Sequence, residues 1–305
     1  MSSRPTIAVT GASGLLGRPL RAAIESRGRF LFRGSAFRRA GGGLDLVDLT
    51  DRAATESWLD DTRASAVVHL AAERRPDAYE ADPDAADRLN IDTTAALAES
   101  CAHRRVPLLF LSTSYVFDGT APPYRPDDQP NPLNAYGRSK VRGEQAVRSA
   151  SDLHRILRVP MLHGPSADLA ESSVTLIART MLDADGPVLL DVRQTRYPAY
   201  TPDLAEAVVG LLPGLIDGTL PGPALHFCPD EGFTKQEMGR IMAPLVGLDP
   251  ARAAADNRPP TGAPRPEDVR LDCPHLKALG LLNTTPFREA IARSLESIRR
   301  AGGLP

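Results

Sequence analysis

The chain has 305 residues, of which 42% are hydrophobic and 24% are charged, with a formal net charge of -2 and a pI near 6.3. A chain of this length and composition is expected to form one large or two unequal globular domains rather than a disordered segment. The charge gives neither the basic field that nucleic acid needs nor a polybasic membrane anchor, so we expect small-molecule partners.

Cysteine usage and the lack of targeting signals indicate the compartment. Cys101, Cys228 and Cys273 are odd in number and widely spaced, which argues against a disulfide framework and against a zinc site. We interpret them as buried thiols in a reducing environment. The cysteine pattern therefore predicts no metal site. The sequence shows neither a signal-peptide apolar region nor an apolar run of about 18 residues, so it predicts a soluble cytoplasmic protein.

The first predicted unit is a strand, a glycine turn and a helix. Residues 6–10 are apolar and rich in β-branched side chains, Gly11-Ala-Ser-Gly14-Leu-Leu-Gly17 follows, and residues 18–27 have a helical pattern. Glycines permit a tight turn and a close approach of a pyrophosphate, whose charge is met by the amino end of the helix. The pattern therefore predicts a dinucleotide site, and a glycine-rich loop without a ligand is the alternative.

The residues after the second predicted strand, 30–36, indicate the type of cofactor. A site for NAD usually has an acidic residue about 20 positions past the glycines, where it binds the ribose 2′-hydroxyl. Residues 26–44 contain no acid, and Arg38 and Arg39 occupy the position instead. Guanidinium groups suit a 2′-phosphate because they form charge-assisted, bidentate bonds. NADP(H) is the predicted cofactor, and two solvated arginines on a loop are the alternative.

The remaining elements of the first half alternate between strand and helix, with predicted bounds of 44–49 (strand), 52–61 (helix), 66–70 (strand), 83–101 (helix), 106–112 (strand) and 155–159 (strand). This alternation predicts an α/β fold with a Rossmann-type, doubly wound parallel sheet. Ligands bind at the carboxyl ends of the strands in such sheets, where Asp48 could accept a hydrogen bond from an adenine amino group. Trp58 and His69 are expected in the core.

The segment Asn134-Ala-Tyr136-Gly-Arg-Ser-Lys140 indicates the chemistry. Tyr136 and Lys140 lie four residues apart on a predicted helix, so both side chains project from one face. A neighbouring ammonium lowers the pKa of a phenol from about 10, which would let Tyr136 exchange a proton with a substrate oxygen. Thr113, at the end of the fifth strand, is expected to face the same crevice. A surface pair is the alternative for an isolated Tyr-x-x-x-Lys motif.

Beyond Pro160 the regular alternation is lost, and prolines and glycines gather at residues 213–223 and 258–266. We therefore expect residues 1–160 to form the dinucleotide-binding domain. Residues 161–305 are expected to form mainly a smaller substrate-capping region, with some segments that return to the first domain.

The assembled motifs resemble the extended short-chain dehydrogenase/reductase superfamily over nearly the whole chain. Three segments are similar to dTDP-4-dehydrorhamnose reductases: Ser112-Thr-Ser-Tyr-Val-Phe-Asp-Gly119, Leu133-Asn-Ala-Tyr-Gly-Arg-Ser-Lys140 and Arg265-Pro-Glu-Asp-Val-Arg-Leu-Asp272. Others are similar to the β regulatory subunits of methionine adenosyltransferase, which are relatives of those reductases: Phe37-Arg-Arg-Ala40, Ala71-Ala-Glu-Arg-Arg-Pro-Asp77, Pro122-Pro-Tyr-Arg125 and Leu271-Asp-Cys273 with Leu279-Gly280.

The resemblance implies a role for each matching residue. It implies cofactor contacts for Gly11, Ser13, Gly14, Leu15, Leu16 and Gly17 (pyrophosphate turn), Phe37, Arg38 and Arg39 (adenosine phosphate), Asp48 and Leu49 (adenine), and Leu70, Ala71, Arg74 and Leu162 (along the cofactor). It implies hydride transfer from NADPH to a carbonyl carbon, with Tyr136 as proton donor, Lys140 on the nicotinamide ribose and Thr113 orienting the carbonyl. Gln194, Arg196 and Arg265 lie where the reductases shape their substrate site, or are simply loop residues and surface charges.

Two functions remain open at this point. The first is an NADPH-dependent reductase of a keto group on a nucleotide sugar or a related polar metabolite, which is favoured because every chemical group is in place. The second is a non-catalytic NADP-binding regulatory subunit of a methionine adenosyltransferase-like partner, since those subunits also keep the tyrosine and lysine. A homodimer or association with a partner enzyme is compatible with either function.

Overall fold

A computed structural model describes residues 4–37, 41–259 and 261–304. Its strands are β1 (Thr6–Thr10), β2 (Leu31–Ala36), β3 (Asp45–Leu46), β4 (Ala66–His69), β5 (Leu108–Thr113), β6 (Arg155–Val159), β7 (Leu162–His163), β8 (Val188–Asp191), β9 (Ala199–Tyr200), β10 (Ala224–His226) and β11 (Ala253–Asp256). Its α-helices are α1 (Gly17–Arg27), α2 (Arg52–Thr62), α3 (Pro76–Ala81), α4 (Pro83–Asp87), α5 (Thr93–His103), α6 (Ala135–Ala150), α7 (Thr175–Asp183), α8 (Thr201–Ile216), α9 (Lys235–Met242), α10 (Pro274–Ala278) and α11 (Phe287–Arg300).

Seven parallel strands form the central sheet in the order β10-β6-β5-β4-β1-β2-β3. The chain winds outward from β1 to β3, then crosses back and winds the other way from β4. The order therefore reverses between β1 and β4, which is where a doubly wound sheet leaves a crevice at its carboxyl edge. The α/β fold predicted from the alternation of elements is confirmed.

Both faces of the sheet are covered by helices, and β1 shows how. Ile7 and Val9 belong to a hydrophobic cluster that includes residues of α1 and α8, whereas Ala8 belongs to a cluster that includes residues of α2 and α5. Successive side chains of a strand point to opposite faces, so a strand in the middle of three layers must be apolar at every position. This requirement explains the uninterrupted apolar runs in β1 and β4.

The second half of the chain adds elements to the central sheet and also forms a separate hydrophobic cluster. Helix α8 and strand β10 join the layers of the central sheet. Residues of α7, α9 and α11 form a separate hydrophobic cluster with β8 and β11, which pair in parallel. Strands β7 and β9 also pair in parallel. Ala199 of β9 belongs to the hydrophobic cluster of the central sheet.

The bounds of two predicted elements were wrong. The third strand was expected over residues 44–49 but pairs only at Asp45 and Leu46. The helix expected over residues 83–101 is interrupted by a π-helical turn, Arg88–Asp92, between α4 and α5. In that turn the buried Asn90 side chain exchanges two hydrogen bonds with the backbone of Glu73, each 2.8 Å long. Tertiary contact with the loop after β4 thus overrides the regular helical pattern.

The predicted core residues are confirmed. Trp58 is 5% exposed, with its indole nitrogen 2.9 Å from the carboxylate of Asp45. His69 is 1% exposed and lies between two threonine hydroxyls, and burial lowers the pKa of its imidazole to about 3. The three cysteines are free and buried. In the described ranges, no helix combines the length and the hydrophobicity needed to cross a bilayer.

A buried ion pair connects α6 to the sheet. Arg158 on β6 donates two hydrogen bonds to the carboxylate of Glu144 on α6, at 2.9 and 2.7 Å, and both side chains are at most 3% exposed. The Ser112 hydroxyl, on β5, donates to the same carboxylate at 2.6 Å. Arg158 also donates to the carbonyl oxygen of Pro126 and lies 3.3 Å from a nitrogen of His226 on β10. Both charges are therefore fully engaged.

We expect Glu144→Gln to lower the free energy of unfolding by about 3–5 kcal/mol, because it leaves a buried guanidinium without its counter-ion. Glu206→Gln is the matched control, since Glu206 pairs with Arg27 on the surface and both side chains are about half exposed. Such exposed pairs contribute at most about 1 kcal/mol. Urea unfolding of the three proteins measures the difference, and similar values for the two variants would contradict the role given to the buried pair.

Candidate cofactor and active site

A cleft of about 860 Å³ opens at the carboxyl edge of the sheet, next to the reversal in strand order. Every described residue of the predicted cofactor set lines this cleft except Lys140. Thr113 also lines it, as do Arg196 and Arg265 from the second half of the chain, whereas Gln194 does not. The fold thus brings together side chains from segments more than 250 residues apart.

The glycine turn between β1 and α1 forms one wall. A Cβ atom on Gly17 would lie 2.5 Å from the carbonyl oxygen of Ala12, and one on Gly11, whose φ is +66°, would lie 2.9 Å from the backbone nitrogen of Ala71. Only glycine fits either position. Among the described residues, none accepts a hydrogen bond from the backbone N–H of Leu15 or Leu16. Free amides at the start of a helix suit an anionic ligand such as a pyrophosphate.

The far end of this wall is the region predicted to hold adenosine. Phe37 lines the cleft and is 55% exposed, and Leu49 lines it as well. One oxygen of Asp48 accepts hydrogen bonds from the backbone nitrogen and the hydroxyl of Thr50, at 2.9 and 2.7 Å. The predicted 2′-phosphate residues Arg38 and Arg39 lie outside the described part of the chain, so their role stays a prediction.

The amino end of α6 places Tyr136 in the cleft. Asn134 caps the helix by accepting a hydrogen bond from the backbone of Gly137 at 2.8 Å, and its amide nitrogen donates to the carbonyl oxygen of Pro264 at 2.8 Å. A Cβ atom on Gly137 would lie 2.3 Å from the carbonyl oxygen of Tyr115. Glycine at this position therefore lets the helix approach the end of β5, and it brings Tyr136 beside Thr113.

The pKa of Tyr136 differs from the sequence-based expectation. Burial raises it to about 12, against opposing effects of the Thr113 hydroxyl and of the Arg74 charge. The predicted lowering by Lys140 was wrong, because burial of the phenol outweighs the effect of every nearby charge. The lysine is itself buried. Its ammonium lies 3.9 Å from the centre of the Phe110 ring, and burial lowers its pKa to about 7 against the opposing attraction of Glu144.

These two pKa values determine what the pair can do. At neutral pH the Tyr136 phenol retains its proton, so it can donate that proton to a developing alkoxide. Burial lowers the pKa of Lys140 to about 7, so both its charged and its neutral form are accessible near neutral pH. No described residue accepts a hydrogen bond from its ammonium. The arrangement suits proton donation to a bound carbonyl oxygen.

The other end of the cleft is basic. Arg196 is 7% exposed, donates to Asp191 at 2.8 Å and also contacts Gln194, so Gln194 acts on the cleft through this arginine. Arg265 donates to Asp77 at 2.7 Å. Lys235, at the first position of α9, lines the same cleft, and burial together with the charges of the two arginines lowers its pKa.

Sequence reasoning missed Lys235. Only three lysines occur among the 36 basic residues of the chain, and Lys235 is the one that lines the cleft. This rarity was a usable signal. Asn90 was also missed, and the sequence offers no signal for it because its partner, the backbone of Glu73, is fixed only by the tertiary fold.

The chain is similar over almost its full length to one protein family and to two kinds of related protein. The sequence profile of the family described as RmlD substrate binding domain matches residues 5–300. The chain is 38% identical to methionine adenosyltransferase 2 subunit beta of Bos taurus, over 95% of this chain and 86% of that protein. It is 33% identical to a dTDP-4-dehydrorhamnose reductase of Streptomyces griseus, over 99% of this chain and 97% of that protein.

Solved structures with the same fold include two dTDP-4-dehydrorhamnose reductases. The protein from Clostridium acetobutylicum has a TM-score of 0.81 at 22% identity, covering 96% of this chain and 99% of its own. The protein from Bacillus anthracis, solved in complex with NADP, has a TM-score of 0.79 at 22% identity, covering 97% of this chain and 99% of its own.

We expect the Lys140 side chain to titrate near pH 7 in the ligand-free protein, about three units below a solvated lysine, because its ammonium is buried. The chain has three lysines, so NMR of protein labelled at the lysine Cε can follow them separately. The signal that is absent from a Lys140→Met variant identifies the residue. A titration of that signal near pH 10 would show that the ammonium is solvated.

Proposed function

We propose that this chain, which belongs to the RmlD substrate binding domain family, is an NADPH-dependent reductase of a keto group on a nucleotide sugar or a related polar metabolite. The observation that carries the proposal is the single cleft shared by the glycine turn, Thr113 and Tyr136. A cofactor turn, a proton donor and a hydroxyl that can orient a carbonyl are the parts that such a reduction requires.

The residues along the sheet edge suit a dinucleotide. The free amides of Leu15 and Leu16 would bind the pyrophosphate, and Phe37 offers an exposed aromatic face to the adenine. Arg38 and Arg39 would bind a 2′-phosphate, as deduced from the sequence. When bound, NADPH supplies the hydride that the carbonyl carbon accepts.

The proton comes from this chain. Tyr136 is protonated at neutral pH because burial raises the pKa of its phenol, and it would donate to the carbonyl oxygen as negative charge develops there. The Thr113 hydroxyl, beside it, would hold the same oxygen. Lys140, one helical turn further along α6, would bind the ribose hydroxyls of the cofactor.

The basic end of the cleft supports a phosphate-bearing substrate. Arg196 and Arg265 each have one carboxylate partner, whereas no described residue accepts a hydrogen bond from Lys235. The phosphates of a nucleotide sugar would compensate this excess of positive charge. The dTDP-4-dehydrorhamnose reductase relative from Streptomyces griseus, which aligns over almost the full chain, supports the same class of substrate.

A second candidate function is a regulatory subunit that binds NADP(H) without turnover. It is favoured by the 38% identity to methionine adenosyltransferase 2 subunit beta of Bos taurus over 95% of this chain. Size-exclusion chromatography of the protein mixed with the methionine adenosyltransferase of its own source distinguishes the two. A stable complex that changes the kinetics of that enzyme supports the regulatory function, and separate elution supports the reductase.

We expect NADPH to bind more tightly than NADH by about 2 kcal/mol, because Arg38 and Arg39 form charge-assisted bonds with a 2′-phosphate in a partly solvated site. Replacing both arginines by alanine should remove the preference and leave NADH affinity almost unchanged. Calorimetric titration of both cofactors measures this. Equal affinities in the unmodified protein would overturn the assignment.

We expect Tyr136→Phe to retain NADPH binding and to lower turnover by about 10²- to 10⁴-fold, since general acid catalysis typically contributes that much. Tyr200→Phe is the control, because Tyr200 is a buried tyrosine that does not line the cleft. The assay is NADPH oxidation with a panel of 4-keto sugar nucleotides and other carbonyl compounds. Equal rates for wild type and Tyr136→Phe on any substrate would exclude the proton donor.

A further inference from the structure

The segment of residues 164–173, between β7 and α7, forms a strap along one side of the cleft. Two hydrogen bonds fix its shape: Asp168 caps a short 3₁₀ turn by accepting from the backbone of Ala170 at 2.9 Å, and Ser172 donates to the carbonyl oxygen of Leu162, on β7, at 2.7 Å. Glu171 and Ser173 of the strap line the same cleft as the glycine turn.

One guanidinium joins the strap to the glycine turn. Arg18, at the second position of α1, donates two hydrogen bonds to the carboxylate of Glu171, both at 2.8 Å. It also donates to the carbonyl oxygen of Ser13, in the turn, at 2.7 Å, and to that of Pro165, in the strap, at 3.3 Å. A bidentate arginine–carboxylate pair fixes both position and orientation.

A second arginine holds the strap from the other side of the crevice. Arg74, in the loop after β4, donates to the carbonyl oxygen of Glu171. The strap is thus attached at Glu171 to both of the loops that flank the reversal in strand order. The Arg18–Glu171 pair is only partly buried: the Arg18 side chain is 38% exposed and that of Glu171 is 12% exposed.

We propose that the Arg18–Glu171 pair is a clasp that holds the strap across the pyrophosphate part of a bound dinucleotide and so sets how slowly the cofactor leaves. The proposal rests on the dinucleotide binding proposed above. Arg18 and Glu171 are positioning residues in this scheme, because they act through the strap and the turn. The Glu171 carboxylate can lie close to a pyrophosphate because Arg18 compensates its charge.

The clasp predicts a kinetic effect that a merely structural contact would not produce. Breaking a partly exposed pair costs the fold little, but it releases the strap from the turn, which opens the route by which the cofactor leaves. The effect is therefore expected in the dissociation rate, with the association rate nearly unchanged. Because the two side chains act only as a pair, replacing both should raise the dissociation rate no more than replacing one.

The test measures NADPH dissociation from the full-length protein by stopped flow, with preloaded NADPH displaced by excess NADP⁺ while its fluorescence is recorded. We expect Glu171→Gln and Arg18→Gln each to release NADPH about tenfold faster, as loss of a half-buried charged pair allows. The double variant should release it no faster than the faster single variant. Glu206→Gln, which breaks the Arg27 pair at the other end of the same helix, should leave the rate unchanged.

Thermal unfolding of each variant separates the clasp from loss of folding, since Glu171→Gln and Glu206→Gln should unfold at similar temperatures. A wild-type dissociation rate in Glu171→Gln overturns the clasp, as do effects of the two single variants that add in the double variant. Tighter binding of NADPH by Glu171→Gln also overturns it, because the carboxylate would then oppose the pyrophosphate. If calorimetry shows that the wild-type protein does not bind NADPH, the proposed function itself fails.

Discussion

The geometry of the cleft depends on the buried pair of Glu144 and Arg158. A buried carboxylate and a buried guanidinium tolerate little displacement, because each loses its counter-ion as the two separate. The pair fixes α6 against β6, and the Ser112 hydroxyl fixes it against β5. Tyr136 projects from the same helix, and Thr113 ends the same strand. Their proximity therefore follows from a contact two turns further along α6, outside the cleft.

Much of this arrangement could be predicted from the sequence, for a physical reason. A parallel sheet places the carboxyl ends of all its strands at one edge, so Gly11 after β1 and Thr113 at the end of β5 had to lie together once the alternation was recognised. Other features depended on packing between distant segments. The pKa of Tyr136 is set by how deeply the helix is buried, and the position of Lys140 is set by the Phe110 ring. The spacing of Tyr136 and Lys140 along one helix determines neither the pKa of the tyrosine nor the position of the lysine ammonium.

The two walls of the cleft come from different parts of the chain. The wall that suits a dinucleotide is formed mainly by loops after β1, β2, β4 and β5, whereas Arg196, Lys235 and Arg265 come from the second half. Substitutions in the second half can therefore alter what lies next to the cofactor while the first wall stays intact.

The place of β10 in the sheet has a consequence for how the protein is made. Residues 224–226 pair with β6, so the edge of β6 stays exposed on the ribosome until three quarters of the chain has been synthesised. The hydrogen bond from the Asn134 side chain to the carbonyl oxygen of Pro264 forms later still, although the local cap on Gly137 does not depend on it. A nascent chain can complete its glycine turn early, but it cannot complete the cleft until Arg265 has been synthesised. An unpaired, apolar strand edge is a site for intermolecular pairing, so the nascent chain is exposed to aggregation until β10 has emerged.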